Sequence, residues 1–179
     1  MSLSPLSAVA HTKAVYQFER CLLAYLSSRR GAKWRSMRKL ASNRFGWEEM
    51  KAGELADFIV KLWQLEHTRR QMMPTIEFRR HGETAAYSLS RIVLVRDCCS
   101  LIILVHEFVH CLGFGNPHGE CFAGKYLAML TRHLGIPENF LIPFALTYGL
   151  RFKRPKSDVA IELEARRRNL PATFFDMPY

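Results

Sequence analysis

Three histidines and one glutamate in the stretch HEFVHCLGFGNPH, residues 106–118, have the types and the spacing of a metal-dependent hydrolytic site. His106 and His110 are four residues apart, so on an α-helix both imidazoles leave the same face and can bind one ion. Glu107 points about 100° further around the helix axis, where its carboxylate can lie beside the ion without ligating it. This H-E-x-x-H pattern predicts two zinc ligands and a general base.

A catalytic zinc site needs a third protein ligand, and His118 is the expected one. Gly113 is expected to end the helix as its C′ residue, after which the FGNP segment permits the chain to reverse. Asn116 as N-cap and Pro117 as the first residue of the next helix would then place His118 near the ion. Two other residues are alternatives for the third ligand, Glu120 and Cys121.

The segments that must position this motif begin with a helical layer over residues 12–70. Apolar residues recur every three or four positions over 12–28 and 48–69, which predicts amphipathic helices, and a shorter helix is expected over 33–42. The residues expected in the core are Val15, Phe18, Leu22 and Tyr25 or Leu26 in the first helix, and Leu55, Phe58, Ile59, Leu62 and Leu65 in the third.

A change of period follows Pro74, which ends the helical pattern. TIEFRR and AAYSLSRIVLVRD are rich in β-branched and aromatic residues, and the HGE between them predicts a β-hairpin over about 75–96. Residues 98–112 are then expected to form a helix that is buried on most of its surface. A further helix is expected to place four residues in the core, Phe122, Tyr126, Leu127 and Leu130.

Length and composition favour one domain without a membrane span. With 179 residues, 49% of them hydrophobic, the chain can bury one ordinary core. It has no uninterrupted apolar stretch of about 18 residues and no signal-peptide pattern at its start, so we expect no membrane association and a cytoplasmic location. Five cysteines without a framework spacing fit the same reducing compartment and leave histidine as the expected metal ligand.

The net charge of +10 favours polyanionic partners. Seven Lys and Arg and no acidic residue lie within 29–44, and further basic residues lie in the tail, 155–179. Two interpretations stay open: a solvated helix face with a frayed terminus, or a nucleic-acid patch in which tryptophans stack on bases. A second hypothesis follows for the whole chain, a nucleic-acid or protein-binding module in which zinc is structural and Cys111 or Cys121 supplies a fourth ligand.

HEFVH followed by HGECF resembles the zincin metallopeptidases, and among them it is most similar to the SprT-like group and to small metallohydrolases of actinobacteria and their phages. GETAAYSLSRIVLVRD is similar to the strand pair that precedes the active-site helix in these proteins, so the resemblance covers about residues 75–150. It implies zinc ligation by His106, His110 and His118. It also implies that Glu107 is the general base. SprT-like proteins often carry a Cys zinc ribbon that recruits DNA, but this sequence contains no C-x-x-C pair, so their substrate does not carry over.

The sequence thus predicts one α+β, zincin-like domain over residues 1–154, with a metal-binding core over 75–150 and a basic tail, 155–179, that is partly ordered or docked. The domain is expected to combine the helical layer, a small sheet containing the hairpin, the H-E-x-x-H helix and two further helices. The expected function is zinc-dependent hydrolysis of peptide bonds in a protein or peptide substrate. One form of this hypothesis places the hydrolysis near DNA. Substrate is expected to pair with the strand over 86–94. The oxyanion-stabilising group is left open among Tyr87, Tyr126, His133 and Tyr148.

Overall fold

The computed structural model describes residues 5–28, 52–66, 73–79, 85–87, 91–95, 100–113 and 116–154. In chain order they form helices α1 (Pro5–Ser27) and α2 (Ala52–Glu66), strands β1 (Thr75–Arg79), β2 (Ala85–Tyr87) and β3 (Arg91–Val95), and helices α3 (Leu101–Cys111), α4 (Glu120–Leu134) and α5 (Glu138–Thr147). The described residues are therefore mostly helical with one small sheet, which is compatible with the expected α+β class. The helix expected over 33–42, the basic stretch 29–44 and the tail 155–179 lie outside the described residues.

The sheet has the strand order β1-β3-β2, with β1 parallel and β2 antiparallel to β3. The hairpin expected between TIEFRR and the strand after it is therefore wrong, because β1 pairs with β3 rather than with its neighbour in sequence. AAYSLSRIVLVRD itself contains two strands, and these form the antiparallel pair, with Ala86 opposite Ile92. Ile92 and its neighbour Val93 point to opposite faces and are both buried, which is typical of a central strand.

Helix α3 lies at the centre of the structure and contacts α1, α2, α4 and the strands β2 and β3. Nine of its eleven residues are buried, which confirms the expected burial of this segment. Ser100 caps its start, accepting a hydrogen bond from the Ile103 N–H at 3.1 Å. Gly113 follows the C-cap Leu112 with a φ of 77°, so the prediction of Gly113 at C′ is confirmed.

The apolar stripes of α1 and α2 face this central helix, and most of their predicted members are buried. In α1 the fully buried set is Val15, Phe18, Leu22 and Leu26, and in α2 it is Leu55, Ile59 and Leu62. Leu65 is 62% exposed, so its predicted place in the core is wrong, and Trp63 is buried instead. The reason is rotation, because Leu65 lies about 100° around the helix from the centre of the stripe.

Helix α4 packs on α3, and α5 packs on α4. The four core residues expected in α4 are all buried, namely Phe122, Tyr126, Leu127 and Leu130. After α5 the segment 150–154, here called the strap, packs against α4, and the Lys153 N–H donates to the Glu120 carbonyl at 2.9 Å. The part of the chain that the structure describes contains no helix long and apolar enough to cross a membrane.

Candidate metal centre

Three imidazoles converge at the end of α3. The Nε2 atom of His106 lies 3.2 Å from that of His110 and 3.0 Å from that of His118, and the third side of this triangle measures 3.1 Å. Nitrogens bound to a tetrahedral zinc at about 2.0 to 2.1 Å would be about 3.3 Å apart, close to what is observed. The structure therefore brings together the three histidines that the sequence singled out, and they could hold one metal ion.

Helical periodicity explains only two of the three. His106 and His110 are one turn apart on α3, whereas His118 lies in the tight turn 116–119 that precedes α4. In this turn the Gly119 N–H donates to the Asn116 carbonyl at 3.0 Å. Helix α4 then begins at Glu120 with Gly119 as its N-cap, so the predicted roles of Asn116 as N-cap and Pro117 as first helical residue are wrong.

His118 itself explains why the helix begins late. Its φ is 64°, a left-handed backbone conformation that cannot be part of a right-handed helix. It is the only non-glycine residue with a positive φ among those described. Holding such a residue in this conformation costs about 1 kcal/mol, a cost that surrounding contacts must offset.

The alternative third ligands do not join the group. Glu120 faces the strap instead, with its carboxylate 3.2 Å from Lys153 Nζ and 3.8 Å from Arg151 Nε. Cys121 is exposed. Cys111, an alternative for a fourth ligand, is buried and does not belong to the group either, and burial, together with the charge of Glu107, raises the pKa of its free thiol to about 12. Within the described ranges, no fourth His, Cys, Asp or Glu completes the site.

A buried carboxylate on α1, that of Glu19, contacts His106 on the side away from the other two histidines. Glu19 Oε2 lies 2.9 Å from His106 Nδ1, within hydrogen-bond distance although off the regular hydrogen-bond direction. The same oxygen accepts a hydrogen bond of 2.9 Å from the hydroxyl of Tyr126. Motif reasoning missed Glu19, yet a signal was available. Glu19 occupies the core stripe of α1, four residues after Val15 and three before Leu22, where an acidic residue is unusual without a partner.

A buried histidine on α1 stands behind the third ligand. His11 Nδ1 contacts the His118 carbonyl oxygen, and its Nε2 lies 2.7 Å from the Arg151 carbonyl oxygen. His11 is 4% exposed and lies on the same stripe as Glu19, four residues before Val15. The sequence offered the same signal here, a polar residue at a core position, and it was also missed.

Aromatic rings enclose the three imidazoles on two sides. The fully buried ring of Phe122 lies with its centroid 4.5 to 5.1 Å from those of the three histidines. Tyr16 on α1 is half exposed, and its ring centroid lies 4.9 Å from that of His118 and 5.5 Å from that of His106. The site therefore has an apolar floor and a tyrosine at its rim.

The positions of the candidate oxyanion-stabilising residues differ in how close they come to the three histidines. Tyr126 is fully buried behind His106, and His133 lies 2.7 Å from the Glu66 carboxylate on the contact between α2 and α4. Contact with the Cys21 thiol raises the pKa of Tyr148. The side chain of Tyr87 is not among those that the structure describes. Of the other three groups, Tyr126 contacts His106 from the buried side, and no contact of His133 or Tyr148 with the imidazoles is described, whereas Tyr16 lies on their exposed side.

The electrostatic environment gives the three histidines different pKa values. Burial lowers the pKa of His110 to about 4 and that of His118 to about 3, with the charge of His106 acting in the same direction. Burial also opposes a charge on His106, but the contact with Glu19 and the charges of Glu19 and Glu107 outweigh it and raise its pKa. At neutral pH, His110 and His118 are therefore neutral, which is the form that binds a metal.

No family model, no curated protein and no solved structure matches this chain. The geometry of the three histidines and the resemblance of HEFVH and HGECF to zincins are therefore the observations that bear on its function.

Proposed function

We propose that this chain is a zinc-dependent hydrolase of the zincin type that cleaves peptide bonds. The observation that carries the proposal is the convergence of three histidine Nε2 atoms at spacings of 3.0 to 3.2 Å. The described residues supply three ligands and no fourth, which favours a catalytic zinc, because structural zinc sites are closed by four protein ligands. The resemblance of HEFVH and HGECF to zincin peptidases supports peptide hydrolysis as the reaction.

Each residue of the site has a role in this proposal. Zinc, when bound, supplies a Lewis acid that polarises the scissile carbonyl and lowers the pKa of a water molecule. Glu107 acts as the general base, accepting a proton from the attacking water and donating it to the leaving amine nitrogen. Its position on α3 supports this role, because it is buried beside His106 and its charge acts on the pKa of that histidine.

The surroundings suit a reaction at the rim of α3. Phe122 excludes water from beneath the imidazoles, and this apolar floor strengthens electrostatic interactions above it. Substrate would approach past Tyr16, on the exposed side. A substrate cannot pair with the whole segment 86–94, because β3 is the middle strand and both its edges are already paired. Within the described part of the sheet, β1 and β2 each pair only with β3, so both are edge strands. Because β2 is the edge strand that contacts α3, the backbone of Ala85–Tyr87 is the edge that an extended substrate would use.

The test is replacement of the general base. Glu107→Gln keeps the size and polarity of the side chain but removes its basicity, so zinc content should stay at one per chain. Hydrolysis of an unfolded protein substrate should fall by about two orders of magnitude. Glu138→Gln, which changes an exposed carboxylate paired with Arg154, is the matched control and should hydrolyse as the unchanged protein does. Undiminished hydrolysis by the Glu107 variant would remove this residue from its proposed role.

The competing function, a binding module with structural zinc, requires a fourth ligand from a segment that the structure does not describe. The net charge of +10 is what favours it. Zinc coordination separates the two functions, since a structural zinc would have four protein ligands and a catalytic zinc keeps a water. Binding to DNA measured across a salt series tests the basic patch alone, since contacts through 29–44 and the tail would weaken steeply as salt rises. DNA binding and peptide hydrolysis are compatible, so the proposed function includes DNA only as a place where the hydrolase acts.

A further inference from the structure

Helix α1 lies far from the metal-binding motif in sequence but contacts it twice through buried polar residues. Glu19 faces the Nδ1 atom of His106, and His11 contacts the backbone of His118, a partner 107 residues away. Both residues share the stripe of α1 that also carries Val15 and Leu22 into the core. An apolar stripe needs no carboxylate and no imidazole to pack, so these two positions require a separate explanation.

We propose that α1 is the positioning element of the metal centre, with Glu19 orienting His106 and His11 orienting His118, so that metal affinity depends on both contacts. This inference rests on the proposed metal binding and extends it from the motif to a helix that the motif does not contain.

The Glu19 contact selects the ligand atom of His106. A carboxylate facing Nδ1 favours the tautomer that carries its proton there, which leaves the Nε2 lone pair for the ion. Glu19 is itself held, because the Tyr126 hydroxyl donates to the same oxygen at 2.9 Å. The chain Tyr126, Glu19, His106 thus fixes both the tautomer and the direction of one ring. Loss of such a supporting group typically lowers metal affinity about 10- to 100-fold.

The His11 contact acts on backbone rather than on a ring. The ring nitrogens of His11 face two carbonyl oxygens, those of His118 and Arg151, and so join the turn 116–119 to the strap. His118 needs such support because its backbone is in the left-handed region, with a φ of 64°. Without His11 the turn is free to relax, and the third imidazole loses its fixed direction towards the other two.

Packing of α1 alone is the rival explanation, and a matched variant separates it. Val15→Ala removes apolar contact from the same face of α1, between the two polar residues, and changes no polar group. His133→Ala removes a buried histidine whose partner is Glu66, away from the three ligands. Both variants should lower the free energy of unfolding while leaving zinc affinity within about twofold of the unchanged chain.

The experiment measures zinc affinity of the full chain by competition with a chromophoric chelator at fixed pH, alongside urea unfolding of the metal-free protein. Glu19→Ala should lower zinc affinity about 10- to 100-fold, as expected for a supporting carboxylate. Glu19→Gln should lower it less, since an amide oxygen can still accept from Nδ1. His11→Ala should lower it about tenfold, within the same range. Should an alanine variant fail to fold, Tyr126→Phe removes only the hydroxyl that holds Glu19 and should cost several-fold in affinity.

The outcomes separate this inference from the proposed function. If the unchanged chain binds no zinc, the proposed function fails, and this inference fails with it. If the unchanged chain binds zinc and the Glu19 and His11 variants bind it equally well, only the positioning role is overturned. The positioning role is also overturned if Val15→Ala weakens zinc binding as much as they do at an equal loss of stability.

Discussion

At the scale of single residues, the three imidazoles differ in how readily they take up protons. His110 and His118 have pKa values lowered to about 4 and about 3, whereas the pKa of His106 is raised above 6.5. A metal ion binding at pH 5.5 must therefore displace a proton from His106 alone. Three histidines of ordinary pKa would together release nearly three protons at this pH.

Calorimetric titration of zinc at pH 5.5 in two buffers of different ionisation enthalpy measures this number. We expect a release of about one proton per zinc, because only His106 is protonated before binding. Zinc affinity should correspondingly rise with pH up to the pKa of His106 and then level off. A release approaching three protons would contradict the electrostatic picture of the site.

The residues of the H-E-x-x-H motif could be predicted from the sequence, but the two α1 residues that contact them, His11 and Glu19, could not. H-E-x-x-H fixes two ligands through helical spacing alone, and the turn-forming FGNP made His118 the natural third. His11 and Glu19 act through contacts that no local pattern specifies, since their partners lie about a hundred residues further along the chain. What the sequence did contain was their position on an apolar stripe. A polar residue at such a position predicts a buried partner, although it does not identify that partner.

At the scale of elements, a buried carboxylate joins α2 to α4. The Glu66 side chain is 3% exposed, and its oxygens lie 2.6 Å from Lys125 Nζ, 2.5 Å from Arg132 and 2.7 Å from His133 Nε2. Burial opposes ionisation, but the hydrogen bonds from His133 and Lys125 and the charges of Lys125 and Arg132 lower the pKa of Glu66 to about 2. Its pKa in the unfolded chain is near the ordinary 4.5.

A carboxyl group with a lowered pKa stabilises the fold above its unfolded value, and this contribution is lost as pH falls from about 4.5 towards 2. Glu66→Gln should therefore lower the free energy of unfolding by about 2 kcal/mol at pH 7 and by much less at pH 2.5. Urea unfolding at both pH values measures this. The matched control is Glu138→Gln, an exposed carboxylate paired with Arg154, which should show little change at either pH. An equal loss at both pH values for the Glu66 variant would assign the effect to packing.

The contact between α4 and the strap depends on a residue without a side chain. A Cβ added at Gly124 would overlap the carbonyl oxygen of Lys153, which is backbone and cannot turn aside as a side chain can. Gly124→Ala should therefore push the strap away and destabilise the protein by about 1 to 3 kcal/mol, measured by urea unfolding. Gly53→Ala is the control, because a Cβ there meets nothing within 4 Å and alanine favours helix. Equal stability of the two variants would show that the strap is not closely packed.

The sequence predicted the helices and strands better than it predicted which strands pair. Helix α3, its glycine stop and the stripes of α1 and α4 follow from periodicity, because each depends on residues close in sequence. Strand pairing depends on distant residues, and the period of two in TIEFRR is equally compatible with either neighbour. The continuous apolar run IVLV was the available signal, since strands buried on both faces take the middle of a sheet. The hairpin was expected because its two strands are close in sequence, although the run IVLV favoured a middle strand.

At the scale of the whole molecule, the structure brings the N-terminal helix and the motif into one unit. The resemblance to zincins stopped at about residue 75, yet α1 supplies His11, Tyr16 and Glu19 to the surroundings of the metal centre. The proposed function is therefore a property of the assembled core rather than of the HEFVH segment. The single domain over 1–154, the basic patch and the docked tail remain predictions.

The proposed function requires one divalent ion that binds to three imidazoles and keeps a position for water. X-ray absorption at the zinc edge of the zinc-loaded chain identifies the neighbours of that ion. We predict one zinc per chain, with scattering from three imidazole nitrogens and one oxygen at about 2.0 Å. A sulfur neighbour at about 2.3 Å, a fourth imidazole, or zinc content far below one per chain would contradict the proposed function.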